Sequence, residues 1–249
     1  MNLLLANANT TQAITALCAT AARAAASPGT HIIPATPRFG PAVIATRVEN
    51  AIASHALLEL LAEHASQPID GVLLAVSHDT ALDAARQLMP CPVLGMTEAA
   101  CLVAMTQGGR FGLVTFGSTE MYRELLARHG FSARLAGLAG VDATPKESLA
   151  DPVGVAAKVQ DAIASLVAQG ANAVVLGGAA MAGMGSRLVA DVPLLDGIAC
   201  GVRLLEAIVG LRLKRPAAGS YAAPTGRVVT GVSASLVGRL AGSPVVVKE

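Results

Sequence analysis

The chain has 249 residues, 53% of them hydrophobic but only 2% aromatic, so it can bury a large core, and no disorder is needed to account for it. Its 18 basic and 17 acidic side chains leave a formal net charge of +1, which gives no electrostatic reason to expect nucleic acid or an anionic membrane and points to a small neutral or anionic ligand. The longest charge-free stretch, 162–186, is broken by Gln169, Gly170, Asn172, Gly177, Gly178 and Gly183 and reads as helix end, strand and loop rather than a membrane span.

In chain order, apolar runs of strand length fall at 2–6, 31–34, 71–76, 92–95, 110–116, 173–177 and 192–195. Segments of helical period follow most of them, such as 80–89, 120–129 and 152–169. The N-terminus, MNLLLANANTT, lacks the basic flank and cleavage pattern of a signal peptide, so a cytoplasmic location is expected. Alternation of strand and helix, with Ala, Val, Leu and Gly carrying the hydrophobicity, predicts an α/β fold of parallel strands joined by right-handed crossovers. The four cysteines, Cys18, Cys91, Cys101 and Cys200, show no CxxC or other metal-ligand spacing and read as reduced, mostly buried thiols, with no metal expected. Past Lys214, the Pro- and Gly-punctuated tail reads as an extended excursion.

Two units share one order: strand, small-residue loop, short amphipathic helix, Pro, second strand. They begin at Asp70 (DGVLLAVSHDTALDAARQLMPCPVLGM) and at Asn172 (NAVVLGGAAMAGMGSRLVADVPLLDG). A duplicated α/β lobe follows, with a first lobe over 1–97, a second over 98–213, and a C-terminal excursion over 214–249 packing back on the first. Val76 and Gly178 then occupy equivalent places at the carboxyl ends of equivalent strands, where parallel sheets bind ligands, and both ends face one cleft.

Across nearly its whole length the chain resembles the hydantoin and allantoin racemases of the aspartate/glutamate racemase superfamily. NANTT (7–11), TPRFGPAVI (36–44), HDTALDAAR (78–86), GMTEAA (95–100), RFGLVTFGS (110–118), LGGAAMA (176–182) and KRPAAGSYA (214–222) carry the resemblance in this order. It implies a pseudo-symmetric two-lobed fold, no cofactor, and two cysteines acting as opposed acid and base at the substrate α-carbon. Inverting a stereocentre by proton transfer needs a base on one face and an acid on the other, and paired thiols can exchange those roles. The resemblance puts the two thiols where this chain has Val76 and Gly178, neither of which can carry a proton on its side chain.

Other side chains must therefore supply any chemistry. Ser77, His78 and Asp79 form the one polar, chemically competent cluster at a predicted sheet edge. His78 is a candidate general acid or base, and Ser77 a candidate nucleophile or orienting group. Asp79 or Thr80 can instead cap the next helix, with Asp83 completing a box-like pattern. Gly177, Gly178 and Ala179 either present backbone N–H groups to a carboxylate or enolate-like oxygen, or serve close packing. Asn7, Asn9 and Thr10 after the first strand, and Thr115, Gly117 and Ser118 after the fifth, are substrate contacts or turn and cap residues. Phe39 and Gly40 are expected in a loop over the pocket. The expected function is an enzyme of this superfamily acting on a small carboxylate or cyclic ureide by one-sided lyase, decarboxylase or hydrolase chemistry. The alternatives are an inactive ligand-binding homologue and a racemase with an unidentified base. A homo-oligomer is expected.

Overall fold

The computed structural model describes residues 1–242. Among these residues eight strands form two four-stranded, all-parallel sheets of the same topology, β2-β1-β3-β4 and β6-β5-β7-β8. The first holds β1 (Asn2–Ala6), β2 (His31–Ala35), β3 (Gly71–Leu74) and β4 (Val93–Gly95). The second holds β5 (Phe111–Phe116), β6 (Leu135–Val141), β7 (Ala173–Leu176) and β8 (Leu194–Asp196). The helices are α1 (Gln12–Ala25), α2 (Arg47–His64), α3 (Leu82–Leu88), α4 (Met96–Gln107), α5 (Glu120–Arg128), α6 (Pro145–Ala150), α7 (Pro152–Ala168), α8 (Gly197–Gly210) and α9 (Ala234–Ala241). None of them is long and apolar enough to cross a membrane.

The period of two along each strand builds a three-layer lobe. In the first sheet Leu4, Ala6, Val72 and Leu74 pack with Leu57 and Leu61 of α2 and Leu88 of α3, while Leu3, Leu5 and Leu73 point to the other face. That other face is covered by Ile14 and Cys18 of α1 and by Ile198, Val202 and Leu205 of α8. In the second sheet Val114, Val174 and Leu176 meet α7 through Val159 and Ile163. Phe111, Leu113, Ala173 and Val175 meet Ala100, Cys101 and Ala104 of α4 together with α5.

Two helices are thus exchanged. α4 leaves the first sheet and covers the second, and α8 leaves the second sheet and covers the first. α8 meets α4 at Gly197, where a Cβ would lie 2.6 Å from the Met96 carbonyl oxygen, and meets β3 at Gly201, where a Cβ would lie 2.3 Å from Leu73 Cδ1. Beyond α8 the chain runs over the first lobe. Arg215 donates to the Gln87 carbonyl, the Tyr221 hydroxyl donates to Asp83 Oδ1 at 2.7 Å, and α9 lies against α2. The part of the expected excursion over 243–249 lies outside the described residues.

Two sequence expectations need correction. β6 was not anticipated, because LAGLAGV offers small residues and no strong apolar run, and as an edge strand it pairs only with β5. No Thr80–Asp83 capping box forms: α3 starts at Leu82 after Ala81 at φ +54° with no side-chain cap. Thr80 Oγ1 instead donates to Asn50 Oδ1 at 2.6 Å.

Candidate active site

The paired registers fix the equivalence of the two halves. Leu74 pairs with Gly95 and Leu176 with Asp196, so Val76 and Gly178 each lie two residues past the last paired residue of a corresponding strand. Both line one cavity of about 560 Å³ between the lobes. Their neighbours are held together by Tyr122 of α5. A phenol has one proton and a carbonyl can only accept, so Tyr122 Oη donates to the Gly177 carbonyl at 2.8 Å and receives the Ser77 hydroxyl proton at 2.7 Å. One buried oxygen therefore ties the two strand tips across the cavity.

Ser77 and His78 both line this cavity. The Ser77 proton is committed to Tyr122 and no base meets its oxygen, so the nucleophilic role expected for Ser77 has no activation. His78 is half-buried, with its ring 4.6 Å from that of Tyr122 at 41°. Its Nδ1 is sealed from solvent without a hydrogen-bond partner among the described residues. An imidazolium would leave an N–H stranded there, and burial accordingly pushes the His78 pKa down to about 4. The ring is neutral at physiological pH.

Asp79 has a structural role. Its carboxylate accepts from the backbone N–H of Thr97 at 3.1 Å and of Glu98 at 2.8 Å, capping α4 rather than the adjacent helix. Burial pushes its pKa up to about 8 against the pull of those two amides. Gly95 makes the approach possible, since a Cβ there would sit 2.2 Å from Asp79 Cγ. The second lobe solves the same problem in reverse. Asp196, equivalent to Gly95, caps α8 through Ile198 N at 2.8 Å and reaches back to Gly183 N at 2.6 Å. In both lobes one carboxylate pins the loop after the third strand to the helix that crosses over.

Asn9 accepts from Thr11 N through Oδ1 at 3.0 Å in an Asx turn, and it also lines the cavity, leaving its amide NH₂ for a ligand. Asn7 does not reach the cavity. It is fully buried, donates to Asn9 Oδ1 and Thr15 Oγ1 at 3.0 Å, and orients Asn9. Thr10 donates its backbone N–H to the Pro41 carbonyl at 3.0 Å and anchors the loop whose Ala42, Val43 and Ile44 form the first-lobe lip. Thr115, Gly117, Ser118, Gly177, Gly178 and Ala179 all line the cavity. Two of the backbone donors expected at an oxyanion are occupied, Gly177 N–H by the Val114 carbonyl at 2.7 Å and Gly178 N–H by that of Leu176 at 3.1 Å. Ala179 N–H has no such acceptor among the described residues.

Phe39 and Gly40 are not on this cavity. Phe39 packs edge-on to His55, 5.3 Å between centroids, beside a separate cavity of about 330 Å³. Gly40, at φ +120°, turns the chain where a side chain is disfavoured. The sequence reading also missed Tyr122, Ile14, Met121, Lys146 and Leu149, all of which line the site. For Tyr122 a signal existed: it is one of two tyrosines in an aromatic-poor chain. Among the described residues no cysteine lines the cavity; the buried Cys18 thiol donates to the Ala179 carbonyl of its loop at 3.4 Å, its pKa raised to about 12 by burial and then by the Asp196 charge. Among the described residues no three metal-ligating side chains converge.

With this geometry in hand, similarity to known proteins is informative. The Asp/Glu/hydantoin racemase family matches residues 3–205. Hydantoin racemase of Paenarthrobacter aurescens is 30% identical over 90% of this chain and 98% of its own length. Allantoin racemase from Klebsiella pneumoniae superposes with a TM-score of 0.88 at 35% identity, covering 95% of this chain and 98% of that one. Allantoin racemase from Pseudomonas fluorescens gives 0.87 at 31%, covering 93% and 100%.

Proposed function

The chain belongs to the Asp/Glu/hydantoin racemase family, and we propose that it acts on a small cyclic ureide or carboxylate held between its lobes, by acid–base chemistry delivered from one face at His78. The cyclic-ureide class follows from the hydantoin and allantoin racemases it is similar to over almost their full length. The observation that carries the one-sided mechanism is the lining of the cavity: among the described residues His78 is its one imidazole and no thiol reaches it, while the Tyr122 proton is committed to the Gly177 carbonyl and Lys146 is exposed. Inversion requires a proton donor or acceptor on each face of the reacting carbon. Val76 and Gly178, at the places the family resemblance assigns to the two thiols, supply neither.

A neutral imidazole of low basicity becomes competent when an anion binds beside it, because a nearby negative charge favours the imidazolium. A carboxylate or enediolate in the cavity thus raises the His78 pKa and recruits a proton to the ring. In a decarboxylation the carbon–carboxylate bond breaks, CO₂ leaves, and the enediolate takes that proton at carbon. In a hydrolysis His78 takes a proton from water as its oxygen bonds to the ring carbonyl carbon, the ring C–N bond then breaks, and the imidazolium returns that proton to the leaving nitrogen. Lys146 at the mouth and the Asn9 amide are the further ligand contacts. A second reading, a ligand-binding protein without turnover, is favoured by the absence of any partner orienting His78 Nδ1.

Incubation with hydantoins, allantoin, thiohydantoins and substituted malonates in heavy water, followed by NMR and optical rotation, tests the proposal. A product of altered mass, or deuterium uptake with retained configuration, supports it, and His78→Ala should then abolish turnover. Deuterium uptake with loss of optical activity contradicts it. Tight binding without turnover favours the second reading.

A further inference from the structure

The wall contributed by the β7 loop is set back at one point. Gly177 cannot carry a side chain, since its Cβ would lie 2.8 Å from Leu113 Cδ2 and 3.0 Å from the Val114 carbonyl oxygen. Gly178 can. Its φ of −174° is extended backbone open to any residue, and a Cβ there would meet Met181 Cγ at 3.5 Å and Sδ at 3.8 Å, ordinary van der Waals contact. Glycine at 178 is therefore not demanded by the fold, and what it leaves is a methyl-sized notch opening on the cavity. Its floor is the Met181 side chain, and Met181 N, 4.0 Å from that Cβ, already donates to the Gly178 carbonyl at 2.8 Å. On the facing lobe the equivalent place is filled by the isopropyl group of Val76, so the extra room is on one side only.

We propose that this notch is a subsite for a second, methyl-sized apolar substituent on ring carbon 5 of the ligand, making Gly178 a specificity-determining residue that selects 5,5-disubstituted over 5-monosubstituted cyclic ureides. The inference rests on the cyclic-ureide reading above. It also fits the one-sided site, because a carbon 5 with two carbon substituents has no hydrogen to exchange, and hydrolysis at a ring carbonyl needs only one base.

Titration calorimetry of the wild-type protein with 5-methylhydantoin, 5,5-dimethylhydantoin and 5,5-dipropylhydantoin provides the test. Burying one added methyl group should tighten the dimethyl compound about fourfold over the monomethyl one, and the dipropyl compound, which must direct a propyl group at the notch in either orientation, should lose that gain. Gly178→Ala should lower the ratio of dimethyl to monomethyl affinity about tenfold. Binding of the monomethyl compound with no gain for the dimethyl one overturns the inference and leaves the cyclic-ureide reading standing. An unchanged ratio in Gly178→Ala overturns it too, and the wild-type series decides even if that variant does not fold. Failure of all three hydantoins to bind wild-type protein removes the reading and the inference together.

Discussion

Two adjacent residues, His78 on the cavity and Asp79 capping α4, push stability in opposite directions with pH. His78 resists protonation in the native state, so the unfolded chain takes up its proton first as pH falls below 6.5; its contribution to stability is lost progressively down to about pH 4. Asp79 resists ionisation instead, so the unfolded chain releases its proton first, and stability falls as pH rises from 3.8 to about 8. Denaturant melts across this range should separate them: Asp79→Asn keeps the rise between pH 4 and 6.5, and His78→Gln keeps the decline between 4 and 8. Tyr122 is the other residue with a definite cost. Tyr122→Phe leaves the buried Gly177 carbonyl without its donor and should lower stability by about 1–3 kcal/mol in urea melts. The phenyl ring still shields His78, so its NMR titration midpoint should stay low in Tyr122→Phe and rise toward 6.5 in Tyr122→Leu. The polar cluster at 77–79 was visible in the sequence because it interrupts an apolar run. The division of labour within it was not, since it depends on Tyr122, 45 residues from Ser77 along the chain.

At the level of elements, the loop-to-helix clasp is mirrored between lobes with the carboxylate on opposite partners. Gly95→Ala drives a methyl group into the Asp79 carboxylate and should cost about 1–3 kcal/mol. In an Asp79→Ala background the same substitution should cost much less, a coupling that a double-mutant cycle in thermal or urea unfolding will reveal. Asp196→Ala removes the α8 cap and should cost about 1 kcal/mol. Seven strands were legible from apolar runs bounded by Gly, Pro or Asn. The strands expected over 71–76 and 173–177 end early, at Leu74 and Leu176, because hydrophobic continuity passes without a break from sheet into cavity wall. β6 escaped notice because its pairing with β5, not its own propensity, makes it a strand.

For the whole molecule, the repeated strand order was foreshadowed by the internal similarity of the two halves, whereas the exchange of α4 and α8 was not. Both helices are rich in apolar residues, and their sequences alone do not say which sheet each will cover. Since the first sheet is covered by α8, which is encoded after the whole second sheet, unfolding should be one cooperative transition with coincident probes. Leu205→Ala, in α8 but buried against the first sheet, should lower stability by about 2–5 kcal/mol without splitting that transition. The same assembly closes the cavity between the strand tips, and a crystal structure with a 5-substituted hydantoin bound tests the central claim most directly. The account predicts the ring lying between Val76 and Gly178 with His78 the one acid–base side chain against the reacting carbon. A ring bound elsewhere, or a second proton-carrying side chain on the Gly178 face, would contradict it.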